Sequence, residues 1–289
     1  MNEDIKVSVI MPLYNAAKKL RRAIDSILEQ TYKNIEIIVI DGGSTDGTQD
    51  IIKEYGDKIA YFVSEKDQGY GDALNKGIAV ATGEYSIILA GDDFFIPRGI
   101  ENFVNDIEGT PDVWCGNMFV LKSPGVLTKF VRASSLEEVN NYKVMAHPAT
   151  FFRIKAFQKY GNYDISYKIN CDTELIARFY NRGAQFQISD SFVCVFCCGG
   201  MSTNVDIDAE IAALNTISQA EEVAIKNGLS PQKAHRKRVI EVYKKKIFYH
   251  IKNLLVRMNL LWMFYKMVGQ KPLTKKEIQF YQIKEELLY

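Results

Sequence analysis

No stretch of this 289-residue chain reaches the roughly 20 consecutive apolar residues that a membrane-spanning helix needs. The densest apolar run, Met258 to Phe264, is interrupted by Asn259 and soon followed by Lys266. No secretion signal is expected either, because Met1 to Lys6 is polar and the apolar run after it is short. The expectation is a cytoplasmic protein, at most peripheral at the inner face of the membrane. Cysteine is sparse and odd in number: Cys194, Cys197 and Cys198 crowd one predicted strand, while Cys115 and Cys171 lie far off. That pattern fits neither a disulfide framework nor a four-ligand zinc site, so free thiols in a reducing compartment are expected. Net charge is almost absent at +1, and no nucleic-acid partner is expected. Internal repeats and low-complexity tracts are absent as well.

The near-zero charge hides an uneven distribution. From Pro231 onward there are 14 Lys and Arg against 4 Glu, so an acidic body carries a basic tail. The tail opens with Ser230-Pro231, a helix cap followed by proline at the first helical position. Ile240, Tyr243, Ile247, Ile251, Leu254, Met258, Leu261 and Tyr265 then recur at steps of three and four, with Lys244, Lys245, Lys246, Lys252 and Arg257 mostly off that stripe. Such a helix either packs its stripe on the main domain or attaches residues 231–268 to an anionic membrane surface.

The body alternates strand and helix signals. Val7 to Met11, Ile35 to Ile40, Ile59 to Val63 and Tyr85 to Leu89 are short apolar runs of the kind buried in parallel sheets. Between them, Ala16 to Gln30, Gln49 to Tyr55 and Asp72 to Ala81 carry apolar residues at helical spacing, with Asp46 or Thr48 as a cap. The pattern predicts an α/β fold with a mostly parallel, Rossmann-like sheet flanked by helices. Further on, helices are expected at Pro97 to Ile107, Ile154 to Tyr160, Asp172 to Asn181 and Asp206 to Asn227. Strands are expected at Asp112 to Cys115, Phe186 to Ile188 and Phe192 to Phe196, and a hairpin joins Met118 to Leu121 with Leu127 to Val131.

The fourth run ends in Ala90-Gly91-Asp92-Asp93. Ligands of open α/β sheets bind at the carboxyl ends of the strands. Two adjacent carboxylates there are either a strand-exit turn or a site for a cation, since Mg²⁺ often sits on one or two carboxylates plus substrate phosphates.

Three stretches extend this reading: Ser8-Val-Ile-Met-Pro-Leu-Tyr-Asn15, Ile35-Glu-Ile-Ile-Val-Ile-Asp-Gly-Gly-Ser-Thr-Asp-Gly47 and Ser64-Glu-Lys-Asp-Gln-Gly-Tyr-Gly-Asp-Ala-Leu-Asn-Lys-Gly77. In that order, followed by Asp92-Asp93, they resemble the family 2 glycosyltransferases with the GT-A fold, in particular bacterial enzymes that build O-antigen, capsule and exopolysaccharide. The resemblance covers roughly residues 5–200. It implies a glycosyltransferase domain over residues 1–230, with a donor half to about 116 and an acceptor half over 117–230, and a basic helical extension over 231–289.

By resemblance, Pro12, Tyr14 and Asn15 line the nucleotide pocket and Asp41 hydrogen-bonds the nucleobase, typically uracil. Asp67, Asp72 and Asn75 belong to the segment that closes over base and ribose. Asp93, with Asp92 beside it, holds Mg²⁺ or Mn²⁺ on the donor diphosphate. The chain departs from the pattern at Gly42, where a second acid is usual, at Leu74, often Arg, and at Ala90, often Asp or Asn; Lys76 is the candidate to replace the arginine. His147 either faces the leaving diphosphate or is structural, and Gly199-Gly200-Met201-Ser202 resembles the glycine loop near the donor phosphates. The segment from Tyr163 to Leu175 resembles the one that supplies the catalytic base.

Two acids compete for that base. Asp172 and Glu174 point about 200° apart on a helix, so only one faces the site. Asp172 shares the side of Leu175 and Ile176, while Glu174 is placed to pair with Arg178. Asp172 is therefore the expected base, its alternative use being a helix cap. The implied reaction is inverting transfer of a sugar from a nucleotide-diphosphate donor, expected to be a UDP-sugar, to a hydroxyl of a glycan or lipid-linked acceptor. A sugar nucleotidyltransferase would instead show a Gly-rich basic loop after the first strand, and a degenerate nucleotide-binding scaffold is the non-enzymatic rival.

Overall fold

The computed structural model describes residues 4–123, 126–130, 145–167, 170–198, 222, 225–226, 230–257 and 273–288. In chain order the first half runs β1 (Val7–Leu13), α1 (Ala17–Leu28), β2 (Ile35–Asp41), α2 (Thr48–Tyr55), β3 (Tyr61–Ser64), α3 (Tyr70–Val80) and β4 (Tyr85–Ile88). β1 pairs in parallel with β2 and β4, and β2 with β3. The expected alternation is present, with boundaries shifted by one or two residues.

β1 shows why the fold is two-sided. Val7, Val9, Met11 and Leu13 enter one core with Leu20, Ile24 and Ile27 of α1, while Ile10 points to the other face against Leu74 and Ile78 of α3. Alternation along a strand sends neighbours to opposite faces, so a run buried on both must be apolar throughout. Pro12 is buried within this strand. The Ile10 carbonyl accepts from Leu89 N–H at 3.0 Å on the β4 side. Pro12, two residues on, faces that same side where β4 has already ended, so its missing N–H leaves no partner unpaired.

After β4 the chain continues as β5 (Phe94–Phe95), α4 (Gly99–Asp106), β6 (Val113–Ser123), β7 (Val126–Phe130), β8 (Thr150–Arg153), α5 (Ile154–Tyr160), α6 (Cys171–Asn181) and β9 (Phe186–Cys197). The sheet order is β3-β2-β1-β4-β8-β6-β9-β5, with β7 also on β6. β8 is antiparallel to both β4 and β6, and β5 to β9, whereas β6 and β9 run parallel. The sheet is thus parallel in its first half and mixed in its second.

Three expectations change here. The segments 112–115 and 118–121 fuse into the single strand β6, and 186–188 and 192–196 into β9. Polar interruptions survive inside both because side chains serve them: Asn117 Nδ2 donates to the Asp190 carbonyl at 2.8 Å, and Ser189 Oγ donates to Asp106 Oδ2 at 2.6 Å. β5, a two-residue strand, was not anticipated.

The two halves of the sheet are joined on one face by aromatic rings. Phe103 of α4 stacks on Phe151 of β8 at 3.9 Å and meets Tyr85 and Trp114 edge-on. On the other face, Phe152, Phe157, Tyr160 and Phe179 join β8 to α5 and α6. Burying each such ring contributes about 1.5–3 kcal/mol.

The basic helix α7 (Pro231–Arg257) is present and begins at the expected cap, where Ser230 Oγ accepts from Lys233 N–H at 3.4 Å. Its burial differs from the packing expectation. Ala234 and Val242 are buried, whereas Ile240, Tyr243 and Ile247 of the predicted stripe are exposed, Ile247 by 58%. The stripe from Met258 onward, the expected helix end near Gly269 and Pro272, and nearly all of the helix expected at 206–227 lie outside the described residues. A last segment, with α8 (Lys275–Phe280), returns to the body. Ile278, Ile283 and Leu288 join Phe94, Phe119, Leu127 and Val195 in a third apolar cluster.

Candidate functional site

The carboxyl ends of β1 to β4 share one edge of the sheet, and the residues singled out in the sequence collect there. β1 leads into Tyr14, which is 70% exposed, and Asn15, at a left-handed φ of 49°. Asn15 is spent on the neighbouring loop: its N–H donates to Ser44 Oγ at 2.8 Å, and its Oδ1 accepts from Thr45 N–H at 3.0 Å. Asp46 ties the same loop to two helices, accepting from Ala17 N–H at 3.0 Å and from Thr48 Oγ1 at 2.6 Å.

Asp41, at the end of β2, is fully buried. Its carboxylate accepts from Ser44 N–H at 3.0 Å, from Ser44 Oγ, and from Ser64 Oγ at 2.5 Å. In this state Asp41 shapes the loop and closes onto β3, rather than standing open to a base. Asp72 and Asn75 differ in the same direction from the expected contact with base and ribose. Asp72 Oδ2 accepts from Gln68 N–H at 3.0 Å and lies 3.4 Å from Lys76 Nζ. Lys76, the candidate replacement for an arginine, is held by Glu65 at 2.7 Å. Asn75 turns inward, donating to the Tyr163 carbonyl and accepting from its N–H, both at 2.9 Å. Pro12 lies in the strand interior and reaches the pocket only through the chain it carries.

Asp67 and the backbone of Gly42 form the floor beside Tyr14. A Cβ at Gly42 would come 2.6 Å from Asp67 Oδ2 and 3.5 Å from the Tyr14 ring. A second acid at position 42 would have to displace the Asp67 carboxylate and would set a like charge beside it. Leu74 is completely buried in the core against β1 and β2, so its departure is one of packing.

The acidic turn follows β4 directly. Gly91 lets it lie close on the β1 exit, since a Cβ there would be 2.8 Å from both Ala16 Cβ and Leu13 Cδ2. The two carboxylates differ in exposure. Asp93 is only 1% exposed and its Oδ1 accepts from Cys197 N–H at 2.7 Å, whereas Asp92 is half-buried and the more accessible. Burial, with the adjacent Asp92 charge, pushes the Asp93 carboxyl up to about 8. Among the described residues no group of three or more His, Cys, Asp or Glu gathers as a metal cage. The fit is instead to a cation held by one or two carboxylates and completed by phosphate oxygens, which would relieve a buried, weakly compensated acid.

Asp172 enters from the other half. It lies in the first turn of α6, after Asn170 at a left-handed φ of 66°, and its Oδ1 accepts from Thr173 N–H at 2.7 Å. It is not the helix cap itself. Its charge, after burial, raises the Tyr70 and Tyr163 hydroxyls well above their ordinary range and opposes the burial that lowers His147. Asp93 and Asp92 act on Tyr70 as well, so its hydroxyl lies within electrostatic reach of both the turn and Asp172, and Gly71 next to it packs on the start of α6, where a Cβ would come 3.8 Å from Cys171 Cβ. Glu174 faces away, in a two-pronged ion pair with Arg178 at 2.8 and 3.0 Å. His147 is buried with Nε2 2.9 Å from the Tyr163 hydroxyl, which makes it a support for the Tyr163 side of the site. The expected glycine loop at 199–202 lies outside the described residues.

Sequence reading missed the polar side of α1. Arg22, Ser26 and Gln30 are spaced by four, Arg22 contacting the acidic turn and the other two the chain after it. The signal was visible as polar residues at helical spacing beside an apolar stripe.

Residues 8–180 match the family described as Glycosyl transferase family 2. An uncharacterized glycosyltransferase of Rickettsia typhi is 38% identical over 186 residues, covering 60% of this chain and 58% of that one. The putative glycosyltransferase EpsE of Bacillus subtilis is 41% identical over 112 residues, covering 37% of this chain and 40% of that one. The chain thus spans less than two thirds of either relative. Among solved structures, S. aureus TarS 1–349 in complex with UDP-GlcNAc is similar with a TM-score of 0.59 at 19% identity, over 77% of this chain and 71% of that chain. The mannosyltransferase PcManGT of Pyrobaculum calidifontis, in complex with GDP-Man and Mn²⁺, is similar with a TM-score of 0.58 at 19% identity, over 98% of this chain and 85% of that chain. Those two likenesses speak to the fold, the GT-A type. With the family match extending over more than half its length, the chain belongs to the family 2 glycosyltransferases.

Proposed function

We propose that the protein transfers a sugar, with inversion, from a nucleoside-diphosphate sugar to a hydroxyl of a glycan or lipid-linked acceptor in cell-surface polysaccharide synthesis. The observation that carries this is the meeting of three things at one sheet edge: an exposed aromatic floor at Tyr14, Gly42 and Asp67, an acidic turn at Asp92-Asp93, and Asp172 delivered from α6. Tyr14 offers its face to the nucleobase and Asp67 an acceptor beside it. Asp41 and Asn15 keep the loop under the base in shape, and Asp72 and Asn75 hold the segment above it. A divalent cation, Mg²⁺ or Mn²⁺, held by Asp92 with Asp93 behind it, would supply charge to the departing diphosphate. Asp172 takes the proton from the acceptor hydroxyl as its oxygen attacks the anomeric carbon, on the face opposite the leaving group. The bond from the anomeric carbon to the diphosphate breaks as the new glycosidic bond forms. Half-buried and beside buried hydroxyls, Asp172 meets the acceptor in surroundings partly shielded from water.

UDP-sugars are the first donors to test, because TarS was solved with UDP-GlcNAc; GDP-Man is the second, because PcManGT was solved with it. The test is release of nucleoside diphosphate from each donor with Mn²⁺ and with EDTA, beside thermal-shift binding. Release from one donor that needs Mn²⁺ and is lost in Asp92→Asn supports the reading. No binding of any nucleotide at millimolar concentration, or full turnover in EDTA, overturns it.

The exposed Ile240, Tyr243 and Ile247 beside Lys244 and Lys246 suit peripheral contact with an anionic membrane, near a lipid-linked acceptor. Co-sedimentation with anionic but not neutral liposomes, weakened by salt and by charge reversal at Lys244 and Lys246, is expected. A wild type that ignores anionic liposomes removes this part.

A further inference from the structure

α1 and the turn just past its end present an ordered set of polar side chains to the acidic turn and the chain that leaves it. Gln30 Nε2 donates to the Ile96 carbonyl at 2.8 Å, and its Oε1 accepts from Ile100 N–H at 3.0 Å. One turn back, Ser26 Oγ accepts from Phe95 N–H at 3.1 Å. One turn further, Arg22 Nη2 donates to the Asp92 carbonyl at 2.7 Å. Arg22 and Ser26 are four apart and share one face of α1, and Gln30 follows two residues past the helix end.

Arg22 also reaches the last segment of the chain. Its Nη1 donates to the Leu287 carbonyl at 2.7 Å, and Nη2 also lies 3.1 Å from Cys197 Sγ, beside the Asp93 partner on β9. The guanidinium lies 4.6 Å from the centre of the Phe94 ring. The segment that brings Leu287 is itself fastened along its length. Leu273 N–H donates to the Leu127 carbonyl at 2.7 Å, Lys129 pairs with Glu277 at 3.1 Å, and Lys284 pairs with Glu29 of α1 at 2.7 Å. Thr274 and Glu277 form a capping box at the start of α8, and Ile278, Ile283 and Leu288 are buried.

We propose that Arg22 is a positioning residue for the donor end of the site, and that residues 273–288 are the strap that holds it in place. A planar fork with fixed donors can join the Leu287 and Asp92 carbonyls at once; a lysine ammonium on a flexible stem cannot fix both directions. The strap's last turn therefore sets where the backbone of Asp92 lies, and with it the carboxylate offered to the diphosphate. No atom of Arg22 touches substrate in this scheme. Its catalytic meaning rests on the donor-site reading above, whereas its structural content does not.

The test uses the full chain with Arg22→Met, which keeps the stem over Phe94, with Arg22→Lys, and with a chain ending at Glu286. Hydrogen exchange reports the turn without any ligand. Exchange across 90–97 is expected to quicken about tenfold in Arg22→Met and in the shortened chain, while 7–11 of β1 stays protected. Combining both changes should add little, as for groups acting through one contact. Calorimetry should show UDP affinity in Mn²⁺ falling about tenfold in Arg22→Met, with part of the loss recovered in Arg22→Lys, and metal-free UDP affinity within about twofold. If Arg22→Met does not fold, Arg22→Lys and the shortened chain carry the same comparison. A folded variant whose 90–97 exchange matches wild type overturns the strap. Quickened exchange with unaltered Mn²⁺-dependent affinity overturns the positioning role. Quickened exchange with no nucleotide binding even in wild type leaves the strap standing and overturns the donor-site reading instead.

Discussion

The two halves of the sheet are built by different rules. From β1 to β3 each strand pairs with the next, joined by a helix, and β4 returns beside β1, so that all four run parallel and end at one edge. From β5 onward, apart from the β6–β7 hairpin, the paired strands come from distant parts of the chain, and β5 itself lies at the far end of the sheet from β3. The acidic turn is the crossing between the halves: it leaves β4 near the centre and feeds β5 at the margin. Local pairing gives a stiff donor frame, and long-range pairing gives a surface on which another helix, α6, brings in its own carboxylate. The difference teaches that the acidic turn sits where the construction rule changes.

The largest expected effect tests the contribution of the second half. Asp172→Asn should lower turnover by about 10²-fold or more, the scale of general-base catalysis, with donor affinity within about twofold. Steady-state kinetics beside calorimetric donor titration checks this, and near-normal turnover would remove Asp172 from the chemistry.

Next comes the crossing itself. The folded-state pKa of Asp93, about 8, lies above its ordinary carboxylate value, so the metal-free native state holds a proton that the unfolded chain has lost. Stability of the metal-free protein should therefore be greatest below about pH 4 as far as this group is concerned, and fall by a few kcal/mol as pH rises to about 8. Melting temperatures in EDTA between pH 5 and 8.5 should decline, Asp93→Asn should flatten the decline, and Mn²⁺ with nucleotide should reverse it.

A smaller effect probes the donor frame. Gly42→Asp, which supplies the acid usual at that position, should weaken rather than strengthen donor binding by about tenfold, because its side chain enters the space of Asp67 and adds like charge. Calorimetric titration against wild type reads it directly; tighter binding would mean that Asp67 gives way. Smallest in its effect on chemistry is Glu174→Gln. It should cost about 1–3 kcal/mol of stability through the Arg178 pair and leave turnover within a few-fold. A dead Glu174→Gln beside an active Asp172→Asn would exchange their roles.

The donor half was largely legible because its information is local. Continuous apolar runs meant two-sided burial, and Asp46, Ser44 and Asn15 serve a loop a few residues away or the next strand end. The Glu174 to Arg178 pair was legible for the same reason, being one helical turn long. What escaped depends on distant partners. Nothing near Asn117 announces that Asp190 will satisfy it, so β6 looked like two strands. Nothing near Asn75 announces Tyr163, so a residue that resemblance assigned to the ligand proved to be occupied by backbone. The burial of Asp93 also escaped, because Cys197, which engages it, is 104 positions away.

The Asn75 amide has a mechanical consequence. It engages the N–H and the carbonyl of one residue, Tyr163, and so imitates a single rung of strand pairing between the donor helix and the acceptor half. A rung of that length works as a pivot pin: the two bodies can roll about it, but they cannot slide past each other without breaking both bonds. Any breathing between α3 and the segment at Tyr163 is gauged from that pin, as the span of callipers is gauged from their rivet.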